Sequence, residues 1–186
     1  MIPNLVAGLM VGGGVATDYE SIATVNGNGS ASTLSFTSIP STYSHLQIRG
    51  IARDGRAVTI DTGYITLNST STTTYASHLV GGNGTSAYAG ANSASAPINT
   101  SAFLIAGAPA GASMFSAVII DVLDYANTNK AKTMRTLTGS EQNGIGAIWL
   151  ASTLWTGTSA ISQIDLSTGT ITAWATGTTF ALYGIK

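Results

Sequence analysis

Short runs of β-branched and aromatic residues alternate along the chain with glycine, asparagine, serine and proline, and this pattern constrains the fold most strongly. Helical periodicity is nearly absent. Evenly spaced short strands separated by turn residues are typical of β-sandwiches and β-barrels. We therefore predict an all-β domain, most simply an antiparallel, jelly-roll-like β-sandwich of roughly ten strands, with an extended N-terminal arm.

Alternation and turn residues place most of the strands. His45–Arg53 is the clearest, because Leu46 and Ile48 fall on one face. Gly50 interrupts this run and predicts a β-bulge, beyond which Ile51 continues out of phase. The other predicted strands are Tyr19–Val25, Thr33–Phe36, Ile60–Asn68, Tyr75–Val80, Lys132–Leu137, Ile145–Leu154, Ala160–Leu166, Ile171–Trp174 and Thr179–Ile185.

One long apolar run lacks alternation. Phe115–Tyr125 is rich in valine and isoleucine, which predicts a central strand buried on both faces. Lys132–Leu137 is expected to pair back with it. Gly81–Gly84 is predicted to be a tight turn, and Ser86–Asn99 is either a long connection or a weak edge strand.

The balance of charge limits the classes of partner. Only 8% of the residues are charged and the net charge is -1, so the chain has no basic field for nucleic acid or an anionic membrane. With 44% hydrophobic residues it does not have the composition of a disordered chain. Net charge near zero favours association, which indicates a protein that sits against copies of itself or other subunits.

The N-terminal residues 1–17 are expected to form an arm separate from a β-sandwich domain at 18–186. Met1–Ala16 is apolar and glycine-rich but contains no Lys or Arg, so it is a poor match to a signal peptide. It is either a flexible tail or an arm that docks on another subunit, and we favour docking. The residues expected to dock are Ile2, Leu5, Val6, Leu9, Met10 and Val11.

Histidine chemistry has little support in the sequence. His45 and His78 are the only histidines, there is no cysteine, and no carboxylate lies near either histidine in sequence. A zinc site would need such ligands, so we expect ordinary side chains at strand edges. A Ser-His-Asp triad stays open, because its members can meet in space alone. We predict no catalytic residue, no metal and no cofactor.

Two aspartates lie close together in sequence. On a strand, Asp121 and Asp124 point to opposite faces, which does not suit a paired-carboxylate site. We expect Asp121 to pair with an arginine such as Arg49 or Arg135, and Asp124 to cap a turn.

The three tryptophans divide into two groups. Trp149 lies between aliphatic residues and is expected in the core. Trp155 and Trp174 lie near turns, where they would belong either to the core, to a subunit interface or to a glycan-binding face.

Three stretches carry a resemblance to a known family: Ile39–Arg49 (IPSTYSHLQIR), Ile120–Lys130 (IDVLDYANTNK) and Phe180–Lys186 (FALYGIK). The chain from Tyr19 to its last residue resembles small virion-associated structural proteins of tailed bacteriophages, of the capsid-associated or tail-fibre kind. The resemblance implies a virion component, assembled in the host cytoplasm. It implies no catalytic residue.

Two functions are compatible with this resemblance. The first is a non-enzymatic decoration or cement protein, a homotrimer that docks through its arm on major capsid or tail proteins. The alternative is a tail-fibre or receptor-binding module whose loops recognise host glycans. An enzyme acting on polysaccharide is least favoured, because only Glu20 and Glu141 supplement the aspartates.

Overall fold

The computed structural model describes residues 18–72, 74–97, 102–169 and 172–186, and within these ranges the chain forms twelve β-strands. In chain order the strands are β1 Tyr19–Asn26, β2 Thr33–Phe36, β3 His45–Ala52, β4 Ile60–Leu67, β5 Tyr75–Gly82, β6 Ala87–Ser95, β7 Phe103–Ala106, β8 Ser116–Val122, β9 Lys132–Glu141, β10 Gly146–Trp155, β11 Ile164–Thr168 and β12 Thr179–Ile185.

Two antiparallel sheets of unequal width make up the fold. The large sheet has eight strands in the order β1-β12-β3-β8-β9-β10-β5-β6, and the small sheet has four in the order β2-β11-β4-β7. The predicted all-β antiparallel sandwich is confirmed, whereas a jelly-roll topology is not. The predicted arm at residues 1–17 lies outside the described residues. Within those ranges, no helix is long and apolar enough to cross a membrane.

Aromatic rings fill the space between the sheets. Trp174, Phe103 and Phe180 are fully buried, and their ring centroids lie 5.5–6.3 Å apart. The Trp174 indole N–H donates to the Leu166 carbonyl at 3.3 Å. Gly63 lies directly against Phe103, where a Cβ would overlap the ring. Glycine at this position therefore lets β4 approach the aromatic cluster.

The predicted bulge at Gly50 is wrong. β3 keeps an unbroken register with both β8 and β12, so Ile51 points out of the sandwich and is 46% exposed. Gly50 breaks the apolar alternation for a packing reason, because a Cβ there would overlap the Phe180 ring.

The strand predicted to be buried on both faces is buried on one. β8 pairs with β9 as predicted, but its side chains alternate between buried and exposed, and Ile119 is 37% exposed. The small sheet packs against only one face of the large sheet, so the apolar residues of the opposite face remain at the surface.

Other differences concern short or irregular segments. β7 was not predicted, because four consecutive buried residues show no alternation. Trp174 forms only an isolated bridge with Asp54 instead of a strand, and Ile171 lies outside the described residues. Gly81 and Gly82 belong to β5, while β6 is an edge strand, one of the two predicted alternatives.

Candidate interaction face

The outward faces of the two sheets differ in chemistry. The small sheet presents polar side chains, namely Ser35, Thr62, Tyr64, Thr66, Asp165 and Ser167. The large sheet instead presents or borders most of the exposed large hydrophobic residues, namely Tyr19, Ile51, Val80, Ile119, Leu123, Leu137, Ile148 and Leu150. We call this surface the outer face. Because large exposed apolar surfaces on soluble proteins usually mark interaction sites, it is the candidate functional site.

An apolar row crosses the centre of the outer face. Strand register places Ile119 opposite Leu137, Leu137 opposite Leu150, and Leu150 opposite Val80. Each of these four residues is between 37% and 53% exposed. Cross-strand neighbours of this kind contact one another directly, so the apolar row is a continuous stripe across four strands.

A second row on the outer face consists mostly of small residues. It runs from Ile51 through Ala117, Gly139 and Ile148 to Gly82. Two of these positions are glycines, so backbone is accessible there. An open depression of about 620 Å³ lies at this end of the sheet. It offers space for an apolar group from a partner.

On the other side of the apolar row lies a polar row. Register connects Gln47, Asp121, Arg135, Ser152 and His78 across five strands. The Arg135 guanidinium donates to Asp121 at 2.8 Å, which confirms the predicted aspartate–arginine pair. Burial alone would raise the pKa of Asp121, but hydrogen bonds from Gln47 and Arg135 outweigh it and lower that pKa. The charges of the polar row are therefore largely neutralised within the row.

Tyrosines continue the outer face toward β1. The rings of Tyr19 and Tyr183 stack at 4.7 Å, and the Arg49 guanidinium lies 5.4 Å from the Tyr19 centroid. The Tyr19 hydroxyl and the Arg49 guanidinium both donate to the side-chain amide oxygen of Gln47, at 2.8 and 2.7 Å. Because these partners fix its side chain, Arg49 is not a freely mobile cation.

A smaller depression of about 380 Å³ opens between the polar row and Leu123. It combines the hydroxyl of Ser152, the imidazole of His78 and the guanidinium of Arg135 with the aliphatic Leu150. Ser152 lies opposite His78. The mixture of hydrogen-bond donors and apolar surface in this depression suits a ligand rich in hydroxyl groups.

The tryptophans singled out from the sequence are not part of this face. Trp174 is fully buried and Trp155 is 4% exposed, so neither presents a ring to a glycan or to another subunit. Trp155 points inward from the last position of β10 and lies against Gly157. The proposed docking residues of the arm lie outside the described ranges.

The remaining predicted residues have structural roles. His45 Nδ1 accepts a hydrogen bond from the Asp124 backbone N–H at 3.0 Å. The Asp124 carboxylate accepts from Lys130 at 2.9 Å, and its pKa is lowered mainly by that hydrogen bond. The turn after β8 is therefore held by Asp124, as predicted.

A buried carboxyl pair, which the sequence patterns did not indicate, consists of Asp54, just after β3, and Asp61 in β4. Asp54 and Asp61 are 1% and 2% exposed. Arg56 forms an ion pair with Asp61, and the Thr172 hydroxyl donates to Asp54 at 3.1 Å. Burial, followed by a hydrogen bond with Asp61, raises the pKa of Asp54 to about 6.

This pair does not extend to a larger ligand set. In the part of the chain that the structure describes, no three His, Cys, Asp or Glu side chains are grouped to hold a metal ion. In comparisons with known proteins, no family model and no curated protein matches the chain.

Proposed function

We propose that this chain is a non-enzymatic structural subunit of a tailed-phage virion, most simply a capsid decoration protein. In this proposal the outer face packs against neighbouring virion subunits. The observation that carries it is the contrast between the two sheets, because one outward face is polar and the other has an apolar row along its centre. The sequence resemblance supplies the class of assembly.

The size of the outer face supports a stable contact. Seven strands, β12 through β6, spaced ~4.8 Å apart and bearing about four outward residues on average, cover about 900 Å². A standard protein interface buries about 800 Å² on each partner. The outer face is therefore large enough to be a complete interface.

The electrostatics of the face also support subunit packing. Its principal ion pair, between Arg135 and Asp121, is formed within the chain. Desolvating charges that are already paired costs less than desolvating free ones. A neighbouring subunit of similarly low charge can approach without repulsion, and the chain as a whole has a net charge of only -1.

A second candidate function is a receptor-binding module of the tail. It is favoured by the depression beside the polar row, where His78, Arg135 and Ser152 lie next to Leu150. Sugars are recognised by such combinations of donors and apolar surface. In this alternative the ligand is a host-surface glycan.

Co-sedimentation with phage particles tests the proposal. The particles come from the phage that encodes the chain, with its gene deleted, and the added protein is either unaltered or the double variant Leu137→Glu, Leu150→Glu. The matched control is Thr66→Glu, Ser167→Glu, which adds the same charge to the outward face of the small sheet. We expect the first variant to stay folded and lose binding, while the control binds like the unaltered chain.

Two results would overturn the proposal. If the Leu137→Glu, Leu150→Glu variant co-sediments like the unaltered chain, the outer face is not the packing surface. If unaltered protein binds no particles but binds host glycans on an array, and Arg135→Ala abolishes that binding, the receptor-binding function replaces it.

A further inference from the structure

We infer that β6 pairs with β6 of a second copy of this chain along the edge that faces away from β5, forming a two-fold dimer through a continuous sheet. This goes beyond the proposed function, because it concerns a different surface, and it replaces the homotrimer expected from the resemblance with a two-fold dimer. Three observations carry it: the direction of the backbone groups of β6, the lack of protection along this edge, and the continuity of the outer face across the junction.

Hydrogen bonds near the ends of β5 show which of its backbone N–H and C=O groups point toward β10 and which point toward β6. Thr156 N–H donates to Thr74 O at 2.9 Å, just beyond the paired ends of β5 and β10. Bonded and non-bonded pairs alternate in antiparallel sheets, so His78 and Val80 bond to β10, while Leu79 bonds to β6. On the β6 side, Asn83 N–H donates to Ser86 O at 3.2 Å. Counting back from this bonded pair also places Leu79 in a bonded pair with β6.

The register between β5 and β6 shows which backbone groups of β6 point toward β5. Leu79 lies opposite Gly90, so Gly90 directs its N–H and C=O toward β5. Ala87, Ala89 and Ala91 alternate with it and therefore direct their N–H and C=O groups away from β5. In the described part of the chain, β6 is paired on one side only. This edge thus presents three donors and three acceptors in a regular row.

The other sheet edges are protected, and β6 is not. Exposed edges are usually protected by charges, bulges or short strands. β1 contains Glu20 and a bulge at Ser21–Ala23, and β2 and β7 have four residues each. β6 has nine residues without a charge or a proline, and its register is regular from Ala87 to Asn92.

The spacing of the outward groups fits a second β6 strand. Ala87, Ala89 and Ala91 are symmetric about Ala89, so an antiparallel copy centred there pairs Ala89 with itself and Ala87 with Ala91. Their small side chains leave no steric obstacle on the outer face. Because Val80 lies opposite Ala89, the apolar row continues through the junction into the second copy. Pairing two copies in this register satisfies all three donors and all three acceptors on the edge of each β6 strand.

Proline at Ala89 tests the pairing. Ala89→Pro removes an N–H that points away from β5, so the monomer keeps its ladder, whereas the dimer loses both central hydrogen bonds. The matched control Ala89→Ser keeps the N–H. Sedimentation equilibrium of the purified chain should give a dimer for the unaltered protein and for Ala89→Ser. Ala89→Pro should weaken the dimer about tenfold or more, with an unchanged circular dichroism spectrum.

Charge exchange tests the same register without relying on proline. In the dimer two Ala89 residues are directly opposite, so Ala89→Lys and Ala89→Glu should each be monomeric, and an equimolar mixture should restore dimers. A monomeric unaltered chain, a trimer, or a mixture that stays monomeric would overturn the inference. None of these results depends on binding to phage particles, so they are separate from the test of the proposed function.

Discussion

Replacing Asp54 by asparagine should remove a pH dependence of stability that originates in the buried carboxyl pair. The folded chain holds the pKa of Asp54 at about 6, whereas its ordinary value is 3.8. A raised folded-state pKa means that the folded state binds this proton more tightly than the unfolded chain. The contribution of Asp54 to the stability of the fold is therefore complete below about pH 3.8 and is lost as the pH rises through about 6.

The size of the effect follows from that interval. One pKa unit corresponds to about 1.36 kcal/mol, so the free energy of unfolding should fall by about 3 kcal/mol between pH 4 and pH 7 because of this pair. Asparagine has the shape of the protonated acid and can still donate to Asp61. The shifted carboxyls Glu20, Asp121 and Asp124 have lowered pKa values, so they affect stability mainly below about pH 4.5.

Urea denaturation across pH 4 to pH 8, followed by tryptophan fluorescence, measures this. We expect Asp54→Asn to match the unaltered chain near pH 4 and to exceed it by up to about 3 kcal/mol at pH 7.5. The control is Asp165→Asn, an identical chemical change on the outward face of the small sheet, which should keep the decline with pH. A full decline with pH in Asp54→Asn, or a lower stability than that of the unaltered chain at pH 7.5, would contradict this prediction.

Three further substitutions test the packing around the sandwich. Arg53 donates to four carbonyl oxygens of residues 108–114. Arg53→Lys should lower the free energy of unfolding by about 1–2 kcal/mol and speed amide hydrogen exchange in residues 108–114. Unchanged exchange in these residues would refute this. The buried Lys132 ammonium donates to three carbonyl oxygens; Lys132→Met should lower the free energy of unfolding by about 2–4 kcal/mol, whereas a neutral or stabilising result contradicts it. Gly63→Ala should cost about 1–3 kcal/mol by forcing the Phe103 ring to move, and an unchanged melting temperature would mean that the ring has free space.

The fold class and most strands could be predicted from sequence because alternation and turn chemistry are local properties. β2 and β12 have the predicted bounds, and β3 differs from its prediction by one residue. β7 has no alternation to detect, since both of its faces are buried. Strands with one exposed and one buried face are therefore the ones that the sequence pattern predicts.

The sequence of a single strand does not show which of its two faces is exposed to solvent. For this reason the outer face could not be identified from the sequence. In β9, Leu137 is 48% exposed while Thr136 and Thr138 are almost fully buried. Thr138 is stable inside because its hydroxyl donates to Ala117 O at 3.0 Å and accepts from the Leu104 N–H at 3.2 Å. The position of the small sheet determines which face of β9 is buried, and the sequence of β9 alone does not contain that information.

The pairing of β1 with β12 has a mechanical consequence. Asp18 and Lys186 are neighbours, joined by a hydrogen bond of 3.0 Å from Lys186 N–H to Asp18 O, and Tyr19 lies opposite Ile185. A force that pulls these two residues apart acts across the ladder and breaks its hydrogen bonds in succession, each worth about 1 kcal/mol. β1 should therefore detach from β12 at low force and pair with it again when the force is released. β6, at the opposite edge of the same sheet, bears none of this force.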